Sequence, residues 1–535
     1  MFKEKTGFPS IDKTHLEGIS TEELSPKIYP YSMYKTFLKM NEGYMDETVI
    51  YDGNGEHWKK ELAYVIETLV QAFLARGVEP GVSTVTMATP NSFEMVAEVM
   101  AANAIGLKVF FLDYLNDEKD LLKQSLELGA RFLFLGDVVW ELSHEECKEF
   151  SLGDFFETSE NCADDYKEVM RQFEEYGEPT IFLQTSGSTS VPKVLPFTNS
   201  AIYATMIFAL NSTRIENHDP VNRKLMTILS ARLPFGFMTG FVPVLWGQEV
   251  VFASGATPKD IAQYYKYGAF LIFGTPVLLQ AMMKLTPPDA DLSPLKKFYS
   301  SGLSTPEELF PAAEAFFKAH NSTAKVCNNY GFGEGLGVGT ASDTVIHKPG
   351  TSGKFYIGPK WVIVDEDMNE MKYGEAGELI VSSPTLCQGY LNNPEATAEA
   401  FVNFRNETYF KIGDYVSVDE EGYVTYLGRK KRFFQPLGAG DKVSCEMIEK
   451  VLYELEFVER AAVVPVTNSE NVTIGKAFVV IKTSSNISED EATNIISAHF
   501  NERLKRFQIP EALVILDEIP LMASGKIDYR LLSTM

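Results

Sequence analysis

Residues 184–195 read Gln-Thr-Ser-Gly-Ser-Thr-Ser-Val-Pro-Lys-Val-Leu, a loop that is rich in hydroxyl groups and carries one lysine near its end. A short apolar run at 180–183 precedes the loop, and a helical pattern begins near Asn199. Hydroxyls, backbone N–H groups and a cation suit a polyphosphate, and a strand–loop–helix setting would add the partial positive charge of a helix N-terminus. The loop therefore predicts a nucleotide site, although a Ser/Thr-rich surface turn would have a similar composition.

Composition limits the classes of partner. The net charge of -25 argues against binding to nucleic acid or to an anionic membrane surface. The five cysteines show no CxxC spacing, which indicates reduced thiols, and the first residues contain no apolar signal segment. The apolar stretch 95–112 is interrupted by Glu98, Asn103 and Lys108, so it predicts a buried helix running into a strand. We expect a cytoplasmic protein with no membrane span.

The fold class follows from how strand and helix patterns alternate. A helix at 59–76 and a strand at 82–88 begin an alternation that continues to about residue 280, which indicates an α/β fold with largely parallel sheets. From about 350 to 430, short strands between glycine-rich turns predict a small β-rich subdomain. A boundary at 428–433 would separate a large N-terminal domain of α/β-layered sheets, residues 1–430, from a mobile small α+β C-terminal domain, residues 431–535. In that small domain the patterns predict helices at 447–455 and 488–506 and strands at 461–466 and 476–482.

A second candidate segment lies at 329–334, which reads Asn-Tyr-Gly-Phe-Gly-Glu. Tyr330 offers a flat face for a purine, because bases stack on aromatic rings. Glu334 offers a hard oxygen ligand for Mg²⁺, which commonly takes one carboxylate together with phosphate oxygens. A glycine-rich turn with an incidental acid is the alternative.

Two more segments carry candidate charges. Asp414 follows Gly413 fifteen residues before Arg429, and could accept the two hydroxyls of a ribose with the arginine nearby. A turn-forming aspartate is the alternative. Lys526 follows Gly525 near the C-terminus and could be a catalytic cation or an ordinary solvated lysine.

Taken together, these segments resemble the superfamily of adenylate-forming enzymes, which includes acyl-CoA synthetases, peptide-synthetase adenylation domains and beetle luciferases. The resemblance extends from about residue 30 to the C-terminus. The residues that match the superfamily's phosphate loop are Thr185, Ser186, Gly187, Ser188, Thr189, Pro192 and Lys193. Other matching segments are Asn329-Tyr330-Gly331 with Glu334, Gly377-Glu378-Leu379, residues 389–395, Gly413-Asp414, Gly428-Arg429, Lys442-Val443-Ser444 with Ile448-Glu449, and Ser524-Gly525-Lys526.

The resemblance implies a reaction in two halves. A carboxylate attacks the α-phosphorus of ATP, pyrophosphate leaves, and the small domain then rotates so that a thiol captures the acyl group. Lys526 would bridge the carboxylate and the α-phosphate, Glu334 would bind Mg²⁺, and the phosphate loop would hold the pyrophosphate. Asp414 and Arg429 would bind the ribose, and Tyr330 would bind the adenine.

The resemblance also implies an acceptor. Coenzyme A is the expected one, because no carrier domain follows Met535. A freestanding adenylation enzyme that loads an amino or aryl acid onto the phosphopantetheine of a carrier protein is the alternative. A non-catalytic nucleotide-binding relative is a second alternative.

Several positions depart from the superfamily's pattern. Ser190 and Val194 stand where the phosphate loop usually has glycines, so the loop loses conformational freedom there. Gly333 stands where a threonine usually lies near the α-phosphate, and Ile412 replaces the threonine before Gly-Asp. The hinge is irregular in spacing, with Lys431 as the candidate residue.

The acyl substrate is the least constrained part. Amino-acid-activating domains usually place an aspartate near 235–239 to pair with the α-amino group, and this chain has no acid there. Phe237, Met238 and the turn at 301–303, with Gly302 at its centre, suggest an apolar or aryl acyl pocket, although they could be core residues. Asn329 is reminiscent of peptide-synthetase domains instead. We favour a non-amino carboxylic acid.

Overall fold

The computed structural model describes residues 7–9, 27–143, 146–157, 165–185, 193–214, 224–253, 260–302, 305–341, 348–435, 443–467, 473–485, 487–521 and 527–535. Over these ranges, strands and helices alternate to about residue 330, as the sequence predicts for an α/β fold. None of the helices in these ranges is both long and apolar enough to cross a membrane.

The first part of the chain supplies all seven strands of one sheet and two strands of another. Its strands are β1 (Thr48–Asp52), β2 (Gly55–Trp58), β3 (Thr84–Met87), β4 (Lys108–Phe111), β5 (Ala130–Leu135), β6 (Val138–Leu142), β7 (Cys147–Ser151), β8 (Pro179–Gln184) and β9 (Val194–Thr198). Its helices are α1 (Met33–Met40), α2 (Lys59–Ala75), α3 (Phe93–Ala104), α4 (Glu118–Glu127), α5 (Leu152–Glu157), α6 (Tyr166–Gln172) and α7 (Asn199–Arg214). Seven of the strands form a sheet in the order β7-β6-β5-β3-β4-β8-β9, parallel at its centre and antiparallel at both ends.

A second seven-stranded sheet uses the next part of the chain. Its strands are β10 (Leu225–Thr227), β11 (Val250–Phe252), β12 (Leu271–Gly274), β13 (Lys297–Ser300) and β14 (Lys325–Asn328), which join β1 and β2 in the order β14-β13-β12-β10-β11-β1-β2. All neighbours except β1 and β2 are parallel. The helices in this part are α8 (Pro234–Leu245), α9 (Pro276–Leu285) and α10 (Leu309–Ala319).

The segment 350–430 is rich in strands, as the sequence predicts, and its strands pair antiparallel. After the short pair β15 (Thr340–Ala341) and β16 (Lys354–Phe355) come β17 (Lys360–Val364), β18 (Gly377–Ser382), β19 (Phe401–Phe404), β20 (Glu407–Val418) and β21 (Val424–Arg429). The last five form a sheet in which β20 pairs with β18, β19 and β21. Helix α11 (Pro394–Ala400) lies between β18 and β19.

The C-terminal part has the α+β composition that the sequence predicts. It contains β22 (Phe433–Phe434), β23 (Val443–Ser444), α12 (Cys445–Tyr453), β24 (Val458–Thr467), β25 (Thr473–Ile481), α13 (Glu489–Arg503), β26 (Ala512–Ile515) and α14 (Tyr529–Thr534). Strands β24, β25 and β26 form a sheet. One of its faces packs on α12 and α13 through residues such as Ile448, Leu452 and Phe500. The other face packs on Leu532 of α14.

The apolar stretch 95–112 is a buried helix followed by a strand, as expected. Helix α3 begins at Phe93 after Ser92, whose side chain accepts a hydrogen bond from the backbone N–H of Met95. Nearly all of its residues are buried, and β4 follows in the centre of the first sheet. Because the helix is enclosed on several sides by protein, its apolar character serves the core.

Glu98 is a carboxyl group in that buried helix. Its side chain is 1% exposed, and neither carboxyl oxygen receives a hydrogen bond from the described part of the chain. Burial raises the pKa of Glu98 well above its ordinary value, with Glu94 and Asp137 adding to the shift. The folded state therefore binds this proton more tightly than the unfolded state does, so folding stability falls as pH rises above the ordinary pKa of 4.5.

We expect Glu98→Met to stabilise the protein by about 1–3 kcal/mol at pH 8, because it removes a buried polar group without a partner. The gain at pH 5 should be smaller, because the stability lost through this carboxyl grows as pH rises above the unfolded pKa. Urea unfolding of both proteins at the two pH values measures the difference. Glu399→Gln, at an exposed position of α11, is the control and should change stability little. A Glu98→Met protein less stable than the native one at pH 8 would contradict the prediction.

Candidate active site

The phosphate loop closes a hairpin between β8 and β9. Gln184 pairs with Val194 across the two strands. The backbone N–H of Thr185 donates to the carbonyl of Lys193 at 2.9 Å, and the N–H of Lys193 donates to Oγ1 of Thr185 at 2.9 Å. These bonds fix the two ends of the loop, while Ser186, Gly187, Ser188, Thr189 and Ser190 lie outside the described residues.

The setting of this loop corrects one expectation. Helix α7 does begin at Asn199, but the five residues of β9 lie between the loop and the helix. The expected strand–loop–helix arrangement is therefore wrong, and α7 does not present its N-terminus directly after the loop. A helix N-terminus favours anions only within its first turn. Positive charge next to the loop comes from Lys193 instead.

A cluster of three side chains forms beside the loop. Glu334 lies in a short 3₁₀ turn after β14, and its Oε1 accepts a hydrogen bond from the hydroxyl of Tyr390 at 2.7 Å. The Nζ of Lys193 lies 4.0 Å from the centroid of the Tyr390 ring. The sequence placed Lys193 and Glu334 in one site and gave Tyr390 no role. The sequence signal for Tyr390 was that it lies in the segment 389–395, which matches the superfamily and follows β18.

A second cluster contains the expected ribose residues. The hydroxyl of Tyr330 donates to Oδ2 of Asp414 at 2.6 Å, and Nε of Arg429 lies 3.1 Å from Oδ1. Asp414 and Arg429 face each other across β20 and β21, which explains their meeting. The structure therefore brings together Tyr330, Asp414 and Arg429. The N–H of Asn329 donates to Ser300, so this residue too lies where β13 and β14 end.

Asp414 is almost completely buried, with 2% of its side chain exposed. Burial raises its pKa to about 6, although Arg429 and the Tyr330 hydroxyl oppose the shift. Its Oδ1 lies in the ion pair but accepts no well-oriented hydrogen bond in the described structure. Burial and the adjacent Asp414 also raise the pKa of Tyr330 well above its ordinary value, so its hydroxyl remains a donor.

If Asp414 accepts ribose hydroxyls, we expect kcat/KM for ATP to fall as pH drops below about 6, because the protonated carboxyl is a poorer acceptor. Asp414→Asn should raise the apparent KM for ATP by about tenfold to a hundredfold and remove that inflection. Pyrophosphate exchange at a series of pH values measures both. An inflection kept in Asp414→Asn would belong to ATP itself, and an unchanged KM would remove Asp414 from the ribose site.

The candidate acyl residues divide between core and site. Phe237 is fully buried in α8, stacked on Phe241 at 4.7 Å between ring centroids and edge-on to Phe111 at 6.0 Å. This position favours the core interpretation that the sequence left open. Phe235 lies about 200° away around the helix, beside the turn that carries Glu334: a Cβ on Gly337 would lie 3.4 Å from its ring. Phe235 is therefore the better candidate for the acyl pocket. The sequence could not identify it, because it does not show which side of α8 faces the site.

Four glycines decide where side chains fit around the site. A Cβ on Gly236 would lie 2.0 Å from the Ser230 carbonyl oxygen, and one on Gly331 would lie 2.4 Å from that of Gly337. Both positions therefore exclude a side chain. A Cβ on Gly333 would make ordinary contacts at 3.5 Å or more, and one on Gly302, at φ +82°, would meet nothing within 4 Å.

The carboxylate of Glu334 fits a role as a single protein ligand for Mg²⁺. It is half-buried, accepts a neutral hydroxyl donor, and forms no ion pair with a lysine or arginine in the described ranges. Nor do those ranges contain a cluster of three acidic, histidine or cysteine side chains suited to a metal. A magnesium ion at Glu334 would therefore need the phosphate oxygens of a nucleotide as further ligands, which is how this ion is commonly held. Lys526 lies outside the described residues.

Comparison with protein families matches residues 39–391 to the AMP-binding enzyme family and residues 447–526 to the AMP-binding enzyme C-terminal domain. A D-alanine–D-alanyl carrier protein ligase of Streptococcus pneumoniae (strain 70585) is 30% identical over 290 residues, which are 51% of this chain and 55% of the relative. The enzyme of the same name from Streptococcus pyogenes serotype M3 is 33% identical over 256 residues, 45% and 48% of the two chains. With the Lacticaseibacillus casei enzyme, matched over 33% of its length, the chain spans a third to about half of these curated relatives.

Solved structures extend the likeness over nearly the whole chain. The anthranilate CoA ligase AuaEII in complex with anthranoyl-AMP aligns with a TM-score of 0.74 at 19% identity, over 95% of this chain and 97% of that one. ATP-bound MatB from Rhodopseudomonas palustris aligns with a TM-score of 0.77 at 18% identity, over 94% and 98%. At these identities the likeness concerns the fold alone.

Proposed function

Because the chain belongs to the AMP-binding enzymes of the adenylate-forming superfamily, we propose that it activates a carboxylic acid with ATP and loads the acyl group onto a carrier protein. The observation that carries the proposal is the meeting of two clusters where three sheets converge. Lys193, Glu334 and Tyr390 form the first, and Tyr330 and Asp414, with Arg429, form the second.

The first half-reaction joins two anions, so the site must neutralise charge and align the reactants. In this proposal Lys193 and the hydroxyl-rich loop bind the pyrophosphate that leaves, and Lys526 bridges the carboxylate and the α-phosphate. Mg²⁺, bound by Glu334 and the phosphates, would neutralise further charge on the leaving group. Asp414 and Arg429 bind the ribose, and Tyr330 contacts the adenine.

The second half-reaction brings a thiol to the acyl-adenylate. We propose that residues 431–535 rotate as a small domain relative to residues 1–430 between the two halves. The separate matches of 39–391 and 447–526 to two family models are consistent with this division.

A carrier protein is the proposed acceptor because the curated relatives described above, at 30–33% identity, are named as carrier protein ligases. The CoA ligases among the similar structures are 19–20% identical and therefore support the fold rather than the acceptor. Coenzyme A is the competing acceptor. A cytoplasmic location, in which a carrier protein or coenzyme A would be available, stays a prediction.

The proposed acid lacks an α-amino group, which differs from the D-alanine in the relatives' name. Gly236 lies in the segment where an amino-acid-activating site would place an aspartate, and a side chain there would collide with Ser230. On the same helix, Phe235 and Met238 lie beside the turn at Gly337, where a Cβ would come within 3.4 Å and 3.5 Å of them. An ammonium group would be left without a charge partner at this position, at the cost of burying an unpaired charge.

The test is pyrophosphate release with a panel of acids and hydroxylamine as the trapping nucleophile. The panel holds D-alanine, L-alanine, propionate, butyrate and benzoate, and the best substrate is then offered with CoA or with a phosphopantetheinylated carrier protein. We expect release with a non-amino acid and transfer to the carrier. Preference for D-alanine would overturn the substrate class, and transfer to CoA alone would overturn the acceptor. Silence across the panel with retained ATP binding would favour the non-catalytic alternative.

A further inference from the structure

We propose that Tyr390 is a positioning residue that keeps Lys193 and Glu334 apart, so that the lysine serves the phosphates and the carboxylate serves the metal. The inference rests on the proposed function, since it assigns these two charges to ATP and Mg²⁺. Tyr390 contacts both charged groups from the loop between β18 and α11.

The contacts of Tyr390 are made by different parts of one side chain. The ring face lies under the ammonium of Lys193, with Nζ 4.0 Å from the centroid, and the hydroxyl donates to Oε1 of Glu334 at 2.7 Å. The negative face of an aromatic ring attracts a cation, while a phenolic hydroxyl is a donor to a carboxylate. Each charge thus has a neutral partner, and within the described residues no ion pair joins Lys193 to Glu334.

The backbone that carries Tyr390 is fixed on several sides. The N–H of Gln388 donates to the carbonyl of Pro196, and the N–H of Leu391 donates to that of Val194, so the segment docks on β9. The N–H of Tyr390 itself donates to Oγ1 of Thr397 at 2.9 Å. Gly389 adopts φ +101° and lies against Thr397, where a Cβ would approach to 2.7 Å. The ring is therefore held by backbone contacts that do not involve the two charges.

This arrangement has a consequence for both charges. A lysine that paired directly with Glu334 would neutralise the carboxylate and compete with the metal, and would itself be withdrawn from the phosphates. The hydroxyl of Tyr390 takes one carboxylate oxygen and orients the group, leaving its other lone pairs for a cation. Tyr390 thus acts on the chemistry only through its neighbours.

Two substitutions separate the contributions of ring and hydroxyl. Tyr390→Phe keeps the ring under Lys193 and removes the hydrogen bond to Glu334. We expect the gain in ATP affinity that Mg²⁺ produces to fall about fivefold to tenfold, while ATP affinity without metal stays unchanged. Tyr390→Leu also removes the aromatic ring between Lys193 and Glu334, so ATP affinity without metal should weaken as well, by about fivefold or more. Calorimetric titration of ATP into the full chain, with EDTA and at several Mg²⁺ concentrations, measures both.

Tyr409→Phe is the matched control, because Tyr409 is a similarly buried tyrosine in β20 and packs in a separate cluster with Val362 and Ile380. It should leave both affinities unchanged. The proposal would be overturned if Mg²⁺ raised the ATP affinity of Tyr390→Phe as much as that of the native protein. It would also be overturned if Tyr390→Phe lost the same ATP affinity with and without Mg²⁺. Thermal melting identifies a variant that fails to fold, and the conservative Tyr390→Phe remains decisive if Tyr390→Leu does so.

The calorimetry keeps this proposal distinct from the proposed function. Native protein that binds ATP with Mg²⁺ but releases no pyrophosphate with any acid would contradict the enzymatic function, while the comparison of Tyr390→Phe with Tyr409→Phe would still decide the role of Tyr390. Native protein that binds no ATP would overturn both.

Discussion

Lys526→Ala is expected to lower carboxylate-dependent pyrophosphate exchange by about a thousandfold while leaving ATP affinity within about threefold. One cation ~4 Å from the reacting anions contributes roughly 4 kcal/mol at an effective dielectric of about 20. If that energy is realised mainly in the transition state, it corresponds to about three orders of magnitude in rate. Exchange of labelled pyrophosphate measures the rate, and calorimetry measures ATP affinity.

Two further variants make the Lys526 result interpretable. Lys526→Arg keeps the charge in a different shape, so partial activity there would show that charge and placement both matter. Lys505→Ala removes an exposed lysine of the same C-terminal part and should leave exchange unchanged. Undiminished exchange in Lys526→Ala would remove the residue from the catalytic role that its motif implies.

Arg432→Met is expected to destabilise the C-terminal part by about 3–5 kcal/mol, because it removes one partner from a buried ionic cluster. The guanidinium of Arg432 donates to Oε1 of Glu446 at 2.8 Å, to Oε1 of Glu449 at 2.5 Å and to the carbonyl of Val463 at 2.9 Å. It also lies 3.7 Å above the ring of Tyr529. Without the arginine, two carboxylates would face each other in a poorly solvated space. Denaturant unfolding followed by circular dichroism measures the loss.

Arg503→Met is the matched control. Arg503 pairs with Glu454 at 2.6 Å, but its side chain is 51% exposed, so removing it should cost about 1 kcal/mol or less. Adding Glu449→Leu to Arg432→Met should recover part of the lost stability, since the second change removes a stranded charge. Equal losses in Arg432→Met and Arg503→Met would show that the cluster contributes no more than a surface pair.

The fold was largely accessible from sequence because its periodicities are strong. Helix α13, predicted at 488–506 and found at Glu489–Arg503, is one example. Strand β9 was missed because Pro196 interrupts its pattern. Pro196 is tolerated because β9 is the end strand of the described sheet. The backbone N–H that proline lacks is not needed for strand pairing on the outer side. Instead, the carbonyl of Pro196 accepts a bond from Gln388.

The site was accessible residue by residue but not as an arrangement. Asp414 and Arg429 could be paired because adjacent antiparallel strands bring them opposite each other. The meeting of Tyr390 with Lys193 and Glu334 depends on how one sheet docks on another, and no local pattern encodes it. The role of Phe237 depended on the phase of α8, which is apolar on all sides and so gives no amphipathic signal.

The convergence of three sheets gives the bound nucleotide a thermodynamic role as well. Its phosphates would rest on the β8–β9 hairpin and on the turn after β14, and its ribose on β20 and β21. A ligand that binds only the folded state stabilises it by about 2.7 kcal/mol at a hundred times its Kd. Because this ligand would contact all three sheets, its binding energy would be shared among them. Saturation with ATP would therefore make their melting more nearly simultaneous.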